Sequence, residues 1–516
     1  MTFVQISVNI PAISGVFDYH LPSNLEGKIN IGHLVTIPFN NQIVQGVILR
    51  FVDTPAVEDT KAVIDLLDEL PVLTPEQISL AEKMAEQTLN PLSAMVRMML
   101  PSGLSQRADT EFGIGELGVG DNELSQTQKR IIVLLEKRGS LRGRQIDTHF
   151  KHVDWRKSAG NLVKRGILTS KSVLPAPRVR PKMIRMAQLA VSPSIALEKM
   201  TKLGSTEQTQ KRRAAALQLL IREKVAIAVT WVYAESGCNL SDLKILAEKE
   251  LIILRETEIW RDPVKKVEIG KEEIAEHILN AAQEKAMKVV SASFVDTLVS
   301  PILLHGITGS GKTEIYIRAA QEAVKRGGQA LILVPEIALT AQTVRRFLAR
   351  FAGEVGLMHS KLSAGENYDT WRRARAGKLK VIIGARSALF APLPNIKLIV
   401  LDEFHDNSFH QNQPPFYNAV RAAQNHAEIC GAVCILGSAT PPIEYRYKAS
   451  PHPNLLPQEG ARLVELPTRI AQRELPPVQV VDMRAELKSG NIGIFSRALE
   501  EALAQILERG EQAILF

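Results

Sequence analysis

The sequence predicts a multidomain α/β protein with a small mainly-β N-terminal domain, two helix-rich middle modules, a lobe built on a parallel sheet, and the start of a second lobe. Three observations carry this prediction. Residues 1–104 alternate β-like runs with turn residues. A repeated helical pattern follows them. From about residue 266, short apolar runs alternate with helical lengths, which is typical of a parallel sheet with helices on both faces.

The composition is that of a globular protein with excess positive charge. Of the 516 residues, 45% are hydrophobic and 23% are charged, and the formal net charge is +8, which favours a polyanionic partner. The three cysteines, Cys238, Cys430 and Cys434, are too few for a disulfide framework, so we expect a reducing compartment. No apolar run reaches the roughly 18 residues that span a bilayer. The prediction is a cytoplasmic protein without a membrane partner.

Residues 1–104 are predicted to form a mainly-β domain closed by a helix. The β-like runs include "FVQISVNI", "HLVTIPF" and "IVQGVILRFV". The helical stretch "TPEQISLAEKMAEQTLN" opens with the Thr-Pro-Glu sequence that is typical of a helix start. The Gly-rich polar stretch that follows predicts a linker over 105–122.

The middle of the chain contains an internal repeat. "LSQTQKRIIVLLEKRG" is echoed by "TEQTQKRRAAALQLLIREK", and each copy continues with further helical runs and a β-like tail. This order is typical of winged-helix modules, which offer their third helix to DNA. We therefore predict winged-helix modules over 123–182 and 205–265, joined by a linker over 183–204.

The first of these modules concentrates the positive charge of the chain. Residues 121–182 contain 15 Lys and Arg against 5 acidic residues, a local charge of +10, so the remainder of the chain is net −2. We interpret this module as a DNA-binding surface, and a solvated basic spacer is the alternative. The second module carries more acids and is interpreted as structural. The basic residues of the first include Lys129, Arg142, Arg144, Arg156, Lys157 and Arg165.

A phosphate-binding loop opens the lobe predicted over 266–460. "GITGSGKT", residues 306–313, matches G-x-x-x-x-G-K-[ST] between an apolar run and a helical stretch. Its glycines allow the backbone N–H groups to face the phosphates of a nucleotide. Lys312 would reach the β and γ phosphates, and the Thr313 hydroxyl would ligate Mg²⁺. The predicted cofactors are ATP and Mg²⁺, and the alternative is a glycine loop without a nucleotide. The glycines concerned are Gly306, Gly309 and Gly311.

Two further motifs follow apolar runs of the same lobe. "IKLIVLDEFHD" places Asp402 and Glu403 at the carboxyl end of a predicted strand, where ligands bind in such sheets. Asp402 would hold Mg²⁺ through water, and Glu403 would orient or deprotonate the attacking water. "GSATP" supplies Ser438 and Thr440, whose hydroxyl groups could sense the γ-phosphate.

One apparent metal motif is rejected. His426, Cys430 and Cys434 are spaced by four residues, but a strand signal beginning near Gly431 breaks the helical alignment and no fourth ligand is evident. We predict no zinc ligands in this chain, and Cys434 is interpreted as a small buried hydrophobic residue.

Taken in order, the phosphate loop, the Asp-Glu-x-His run and the Ser-Ala-Thr run resemble the RecA-like lobe of a superfamily 2 helicase. The similarity extends to the PriA family of replication-restart helicases along nearly the whole chain. It implies an ATP-dependent 3′→5′ DNA helicase that recognises stalled or abandoned forks and initiates primosome assembly. The repeated winged-helix module departs from the family pattern. The similar segments include "GITGSGKTEIY", "LILVPEIALTAQ", "IIGARSALFAPLPNIKLIVLDEFHD", "ILGSATPPIE", "GVFDYHLP" and "LNPLSAMVRMMLPSGL".

The resemblance implies roles for further residues. Phe17, Asp18 and Lys61 match the pocket that holds the terminal 3′ nucleotide, where a ring can stack on the base, a carboxylate can accept from a sugar hydroxyl and a lysine can meet phosphate. Gln283 is positioned like a glutamine that reads adenine, and an exposed helical residue is the alternative. Arg386 is implied as a DNA contact.

The same resemblance exposes departures around the coupling residues. His405 would connect the motifs by hydrogen bonds, and a satisfied buried histidine is the alternative. Phe404 stands where the family usually has glutamate, so ATP binding is expected to persist while coupling is in question. In the aromatic-rich loop that keeps Phe409, Phe416 and Tyr417, Val420 and Arg421 replace an Arg-Asp pair.

In the N-terminal domain, Asn40 stands where the family usually has a glycine after the Pro-Phe pair, and Asn tolerates left-handed backbone angles better than most residues.

The last residues, 461–516, are predicted to begin a second lobe, with a helix and then a buried strand, "QAILF". In the family, a zinc-binding insertion and the rest of that lobe follow. We therefore expect a truncated chain that hydrolyses ATP weakly, because an arginine finger is worth about 10³ to 10⁵ in rate. Zinc is expected only in the missing region.

The resemblance also implies partners. These are forked and single-stranded DNA, primosome and helicase-loading proteins, and single-stranded DNA-binding protein, at the nucleoid. The alternative function is a non-catalytic, shortened relative that marks forks with its 3′-end pocket and its basic winged helix and barely hydrolyses ATP.

Overall fold

The fold is known from a computed structural model. The structure describes residues 1–10, 13, 15–40, 42–101, 103–104, 109–115, 124–151, 153–173, 179–266, 277–296, 300–449, 462–470 and 477–515. The chain divides into two compact units, residues 1–467 and 468–516. Within the described ranges, no helix is both long and apolar enough to cross a membrane.

The N-terminal domain is a six-stranded sheet closed by two helices, which confirms the predicted mainly-β domain. The sheet has the order β5-β2-β1-β4-β3-β6, with antiparallel pairs except between β2 and β5. Helix α1 begins at Thr74, whose side chain accepts from the Gln77 N–H while the Gln77 side chain accepts from the Thr74 N–H. The elements are β1 (Phe3–Val8), β2 (Val16–His20), β3 (Leu34–Phe39), β4 (Gln42–Val52), β5 (Lys61–Ala62), β6 (Asp65–Leu66), α1 (Pro75–Thr88) and α2 (Leu92–Met99).

Both copies of the sequence repeat contain the order strand, helix, short strand, helix, helix and strand, and the second copy adds a short helix and a 3-10 turn after its first strand. The first copy comprises β7 (Asp109–Ile114), α3 (Gln126–Arg138), β8 (Leu141–Arg142), α4 (Gly143–Asp147), α5 (Trp155–Lys164) and β9 (Leu168–Val173). The second comprises β10 (Lys182–Leu189), α6 (Pro193–Glu198), a 3-10 turn (Lys199–Lys202), α7 (Glu207–Glu223), β11 (Ile227–Ala228), α8 (Val229–Ser236), α9 (Leu240–Glu248) and β12 (Ile252–Ile259). The sheet orders β8-β7-β9 and β11-β10-β12 are the same, so the repeat in sequence is also a repeat in structure.

Both predicted linkers differ from the structure. Strand β7 lies inside the segment predicted as a linker over 105–122. Strand β10 (Lys182–Leu189) includes the first residues of the segment predicted as a linker over 183–204. Each strand pairs antiparallel with the last strand of its own module, β7 with β9 and β10 with β12. Because each partner lies at the other end of the module, local composition carries no signal for these strands.

The lobe that follows contains a seven-stranded parallel sheet, as the apolar runs predict. Its order is β15-β16-β14-β17-β20-β13-β21. Alternate side chains of β13 enter different cores, because Leu303 belongs to one cluster and Ile302 and Leu304 to the other. The sheet is therefore covered on both faces.

The strands of the lobe are β13 (Ile302–Gly306), β14 (Gln329–Leu333), β15 (Val355–Met358), β16 (Val381–Gly384), β17 (Ile396–Leu401), the small hairpin β18 (His410–Gln411) and β19 (Tyr417–Asn418), β20 (Val433–Ser438) and β21 (Arg462–Leu466). Its helices are α10 (Ala281–Ser293), α11 (Lys312–Lys325), α12 (Ala341–Arg350), α13 (Ala364–Arg375), α14 (Ala419–Cys430) and α15 (Ile443–Ala449), with 3-10 turns at Pro263–Lys266, Arg386–Phe390 and Asn407–Phe409.

The end of the lobe lies later than the predicted boundary at residue 460. Strand β21 pairs in parallel with β13, from Ile302 opposite Arg462 to Gly306 opposite Leu466. The second unit contains α16 (Met483–Lys488) and α17 (Arg497–Glu508). Of the strand predicted at "QAILF", residues 512–516, the described residues 512–515 are exposed coil. The described part of this unit offers no neighbouring strand to which their backbone could bond.

The N-terminal domain packs directly on the parallel-sheet lobe through α1 and α14. The Gln77 side-chain amide donates to the Phe390 carbonyl at 2.9 Å, and Lys83 pairs with Glu428 at 2.6 Å. Met84 of α1 and Leu389 of the lobe belong to the same buried cluster. Both domains therefore share one apolar core.

Candidate nucleotide site and DNA-binding pocket

The phosphate loop connects the end of β13 to the start of α11. Gly309 and Gly311 have φ angles of +82° and +88°, in the left-handed region that favours glycine. A Cβ on Gly306 would lie 2.6 Å from Ser310 Oγ, so a larger residue there would crowd the loop. The N-terminus of α11 follows immediately, which directs backbone N–H groups and the positive end of the helix toward the loop.

The groups around this loop fit a phosphate chain. The buried hydroxyl of Ser310 has no hydrogen-bond partner among the described atoms. Lys312 Nζ donates to the Gly306 carbonyl at 2.7 Å and lies 3.2 Å from Glu403 Oε1. Unmatched donors and a buried ammonium group around a glycine loop are the features that bind phosphate oxygens.

Asp402 and Glu403 lie directly after β17, at the carboxyl end of the sheet. Burial raises the pKa of Asp402 above its ordinary value. Asp402 Oδ1 accepts from Tyr316 Oη at 2.8 Å and from the Glu403 N–H at 3.1 Å. Burial is also the main cause that raises the pKa of Tyr316 well above its ordinary value, so Tyr316 is a hydroxyl donor to this carboxylate. Asp402 and Thr313 are the side chains that could hold a divalent ion beside the loop.

Glu403, His405 and Ser438 lie close together between two strand ends. His405 Nδ1 lies 2.8 Å from Ser438 Oγ and 3.6 Å from Glu403 Oε2. The Ala439 N–H donates to Glu403 at 3.3 Å, and the Thr440 N–H donates to Ser438 Oγ at 2.9 Å. His405 is partly exposed, so it is not a fully buried histidine. The arrangement brings the predicted coupling residues together.

Phe404 and Val420, the two residues near this site that depart from the family pattern, fill apolar space. Phe404 is buried and packs edge-to-face on Tyr445, with ring centroids 5.0 Å apart. Val420 is buried in the first turn of α14, where the Asn418 side chain caps the helix by accepting from the N–H groups of Val420 and Arg421. Both substitutions are therefore accommodated by local packing.

The alternative interpretation of Gln283, an exposed helical residue, is wrong. It is 3% exposed, and its side-chain oxygen accepts from the Asn280 N–H at the start of α10. Its amide nitrogen donates to the Ser310 carbonyl at 3.0 Å. In this structure Gln283 ties α10 to the phosphate loop, and reading adenine with it stays a prediction.

The three predicted residues of the 3′-end pocket line one cavity of about 320 Å³. Phe17 packs edge-to-face on Phe39, with centroids 4.9 Å apart, and Asp18 accepts from the Ala56 N–H at 2.5 Å. Lys61 lines the same cavity from β5. Asn40, at its rim, has a φ angle of +50°, the left-handed conformation for which a glycine is usual.

Arg386 holds the aromatic-rich loop in place. Its guanidinium donates to the carbonyls of Ser408 and His410 at 3.0 and 2.6 Å and lies 5.8 Å from the centre of the Tyr417 ring. Phe416, at the tip of the loop, is 52% exposed, whereas Phe409 and Tyr417 are buried. The DNA contact predicted for Arg386 stays a prediction, while its loop contacts were not predicted.

The described residues contain no group of three or more His, Cys, Asp or Glu that could hold a metal ion. His426 and Cys434 are buried, and burial lowers the pKa of His426 to about 4. The absence of zinc ligands from this chain stays a prediction.

Two segments of the chain match known protein families. Residues 5–101 match the model of the 3′DNA-binding domain (3′BD) of PriA, and residues 280–447 match that of the DEAD/DEAH box helicases. The replication restart protein PriA of Synechocystis sp. is 36% identical over 538 residues, covering 100% of this chain and 60% of that protein. PriA of Bacillus subtilis is 33% identical, covering 100% of this chain and 62% of that protein. Along its whole length, the chain is therefore similar to replication restart proteins of the PriA type.

This chain spans about three fifths of the length of these PriA relatives. Its fold is the mixed α/β fold predicted above, with a small N-terminal sheet domain and a parallel-sheet helicase lobe. The structure of RecG bound to a three-way DNA junction aligns with 40% of the chain at 22% identity and a TM-score of 0.28. DEAD/DEAH box helicases use ATP and Mg²⁺, and the loop and acidic residues described above fit both.

Proposed function

We propose that the chain is the DNA-recognition and ATP-binding part of a replication-restart helicase. In this proposal it recognises abandoned forks through a 3′ end, moves 3′→5′ at the expense of ATP, and initiates primosome assembly with helicase-loading proteins at cytoplasmic, nucleoid DNA. One observation carries the proposal: a 3′DNA-binding domain and a DEAD/DEAH box helicase lobe occur in one chain that matches PriA along its whole length.

The proposed nucleotide chemistry divides between binding and proton transfer. Lys312 and the N–H groups at the start of α11 would hold the phosphates, and Thr313 and Asp402 would hold Mg²⁺. When bound, ATP supplies the phosphoanhydride bond that is broken, and Mg²⁺ neutralises part of the charge of the phosphates. Glu403 can accept a proton from water, since its oxygens are fixed by Lys312 on one side and by the Ala439 N–H on the other.

The proposed DNA chemistry begins at the cavity around Phe17. Its ring can stack on the last base of a strand, and the Asp18 carboxylate can accept from the free 3′ hydroxyl. Lys61 would neutralise the phosphate behind that nucleotide. A 3′ phosphate would place a second anion against Asp18, so the pocket should reject a blocked end.

The test measures fork binding, nucleotide binding, fork-stimulated hydrolysis and unwinding with the 516-residue chain. Fork DNA with a free 3′ hydroxyl should bind at least tenfold more tightly than the same fork with a 3′ phosphate, since removing a charge-assisted hydrogen bond costs about 1.5–3 kcal/mol. Lys312→Ala should remove Mg²⁺·ATP binding, whereas Glu403→Gln should retain it and lose fork-stimulated hydrolysis. Unwinding of a 3′-tailed but not a 5′-tailed duplex measures the direction of movement. Equal binding of both forks, or nucleotide binding unaffected by Lys312→Ala, would refute the proposal.

A further inference from the structure

Tyr316 is a buried tyrosine at the contact point of three motifs. It lies in the first part of α11, four residues after Lys312 and therefore on the same side of the helix. Its side chain is 1% exposed. Its hydroxyl reaches from the phosphate-loop helix to Asp402 Oδ1, at 2.8 Å.

The space that the Tyr316 hydroxyl occupies exists because residue 437 is a glycine. A Cβ on Gly437 would lie 1.7 Å from the Tyr316 oxygen and 2.8 Å from the carbon that carries it. Gly437 immediately precedes Ser438, and its carbonyl accepts from the Phe404 N–H at 3.1 Å. The Tyr316 side chain thus packs against the backbone of β20, close to the Asp402–Glu403 motif.

The hydrogen bonds of the Asp402 carboxylate are asymmetric. Its two described donors, the Tyr316 hydroxyl and the Glu403 N–H, both bond to Oδ1. This leaves Oδ2 to face a ligand. A carboxylate on a buried strand end has several rotamers, and a fixed donor on one oxygen selects one of them.

We propose that Tyr316 is a positioning residue of the nucleotide site, whose hydroxyl orients Asp402 toward Mg²⁺ and whose ring ties the phosphate-loop helix to the Gly437–Ser438 strand end. This inference rests on the proposed nucleotide binding. Tyr316 itself touches neither phosphate nor metal in this assignment. Its effect is confined to the metal-dependent part of nucleotide affinity.

The test compares nucleotide affinity with and without Mg²⁺ in Tyr316→Phe. Fluorescent ATP analogue binding is titrated with Mg²⁺ and repeated with excess chelator. The Mg²⁺ concentration at half-maximal enhancement should rise about tenfold, because a hydrogen bond to a charged group is worth about 1.5–3 kcal/mol and 1.4 kcal/mol is tenfold. Affinity in chelator should stay within twofold of wild type, which also shows that the variant is folded.

Tyr368→Phe is the matched control. Tyr368 is a buried tyrosine of the same lobe, stacked on Trp371 with centroids 6.1 Å apart, and its variant should keep the wild-type Mg²⁺ dependence. A second measurement uses Asp402→Asn, which should lose the Mg²⁺ enhancement. Adding Tyr316→Phe to it should then change nothing further, because both changes act through one interaction.

Two failures can be told apart. If the wild-type chain binds no nucleotide with or without Mg²⁺, the proposed function fails. If the wild type binds and Tyr316→Phe retains its Mg²⁺ midpoint, or if the two changes are additive, the positioning role of Tyr316 is wrong while the proposed function stands.

Discussion

At the scale of single residues, the nucleotide site consists of motif side chains and of the buried neighbours, Tyr316 and Gln283, that contact them. The proximity of Lys312 to the Asp402–Glu403 pair could be predicted from motif spacing, because phosphate and metal chemistry restricts which residue types occur there, and their roles stay predictions. The contacts of Tyr316 and Gln283 could not, since each depends on a strand or loop that is distant in sequence. The aromatic ring at Phe404 is explained by its packing on Tyr445, a contact that the sequence does not show.

Phe404 gives the first residue-scale prediction. Phe404→Glu would place a carboxylate in a position that is 3% exposed and would remove the contact with Tyr445. We expect the free energy of unfolding of the lobe to fall by about 3 kcal/mol or more, since losing a buried ring costs about 3–5 kcal/mol and a buried charge adds to this. Chemical denaturation followed by Trp fluorescence measures it. Phe404→Leu is the control and should lose about 1 kcal/mol. Equal stability of the two variants would contradict this account.

His426 gives a prediction about pH. Its pKa is about 4 in the folded chain, because burial disfavours the charged ring, against 6.5 in the unfolded chain. Above pH 6.5 the ring is neutral in both states and has no effect. Between pH 6.5 and about 4 only the unfolded state gains the proton, so stability falls as the pH falls, by about 1.4 kcal/mol per pH unit.

The measurement is the free energy of unfolding of wild type and His426→Leu at pH 7.5 and pH 5. Between these pH values, the free energy of unfolding of the wild type should fall by about 2 kcal/mol more than that of the variant. His149→Leu, at an exposed position in the first winged-helix module, should follow the wild type. Parallel pH profiles of wild type and His426→Leu would show that this ring does not control the transition.

At the scale of elements, the two winged-helix modules share a topology but differ in the use of the third helix. In α5, Arg156 makes a bidentate pair with Asp147, while Lys157 and Arg165 are exposed. In α9, the buried Asp242 is held by Arg212 and Arg213 of α7, at 3.2 and 2.9 Å. The charge of the first copy could be counted in the sequence. The use of arginines to secure α9 needed the fold.

This difference predicts which module contacts DNA. Lys157→Ala with Arg165→Ala should weaken fork binding, because exposed cations on a third helix release counterions from the phosphates. The slope of log affinity against log salt should fall by about 1 for each cation removed. Filter binding or anisotropy at several salt concentrations measures the slope.

The matched control removes cations from the corresponding helix of the second module. Lys244 is exposed on α9, and Lys249 is its C-terminal cap, as Arg165 is for α5. Lys244→Ala with Lys249→Ala should leave both affinity and salt slope unchanged. A loss equal to that of the first pair would assign DNA binding to both copies.

At the scale of the first unit, residues 1–467, a shared core joins the domains that the motifs separate. The parallel sheet could be predicted from its apolar runs, and the N-terminal sheet from its β-like runs. Their contact could not, because α1 and α14 are amphipathic helices whose sequences do not say which surface covers them. Strands β7 and β10 were missed for a similar reason, since each is defined by a partner at the far end of its module.

The shared core leads to a prediction about cooperativity. Met84 of α1 is 2% exposed and belongs to the cluster that includes Leu389 and Ala423 of the lobe. Met84→Ala should cost about 2–5 kcal/mol through the cavity it leaves. Because the core is common to both domains, amide hydrogen exchange should quicken in α14 as well as in α1 and β4. Leu220→Ala supplies the contrast, since Leu220 is fully buried in the separate core of the second winged-helix module. Its faster exchange should stay within that module, between β10 and β12. If Met84→Ala quickens exchange in the N-terminal domain alone, the two domains open independently and the shared core does not make their unfolding cooperative.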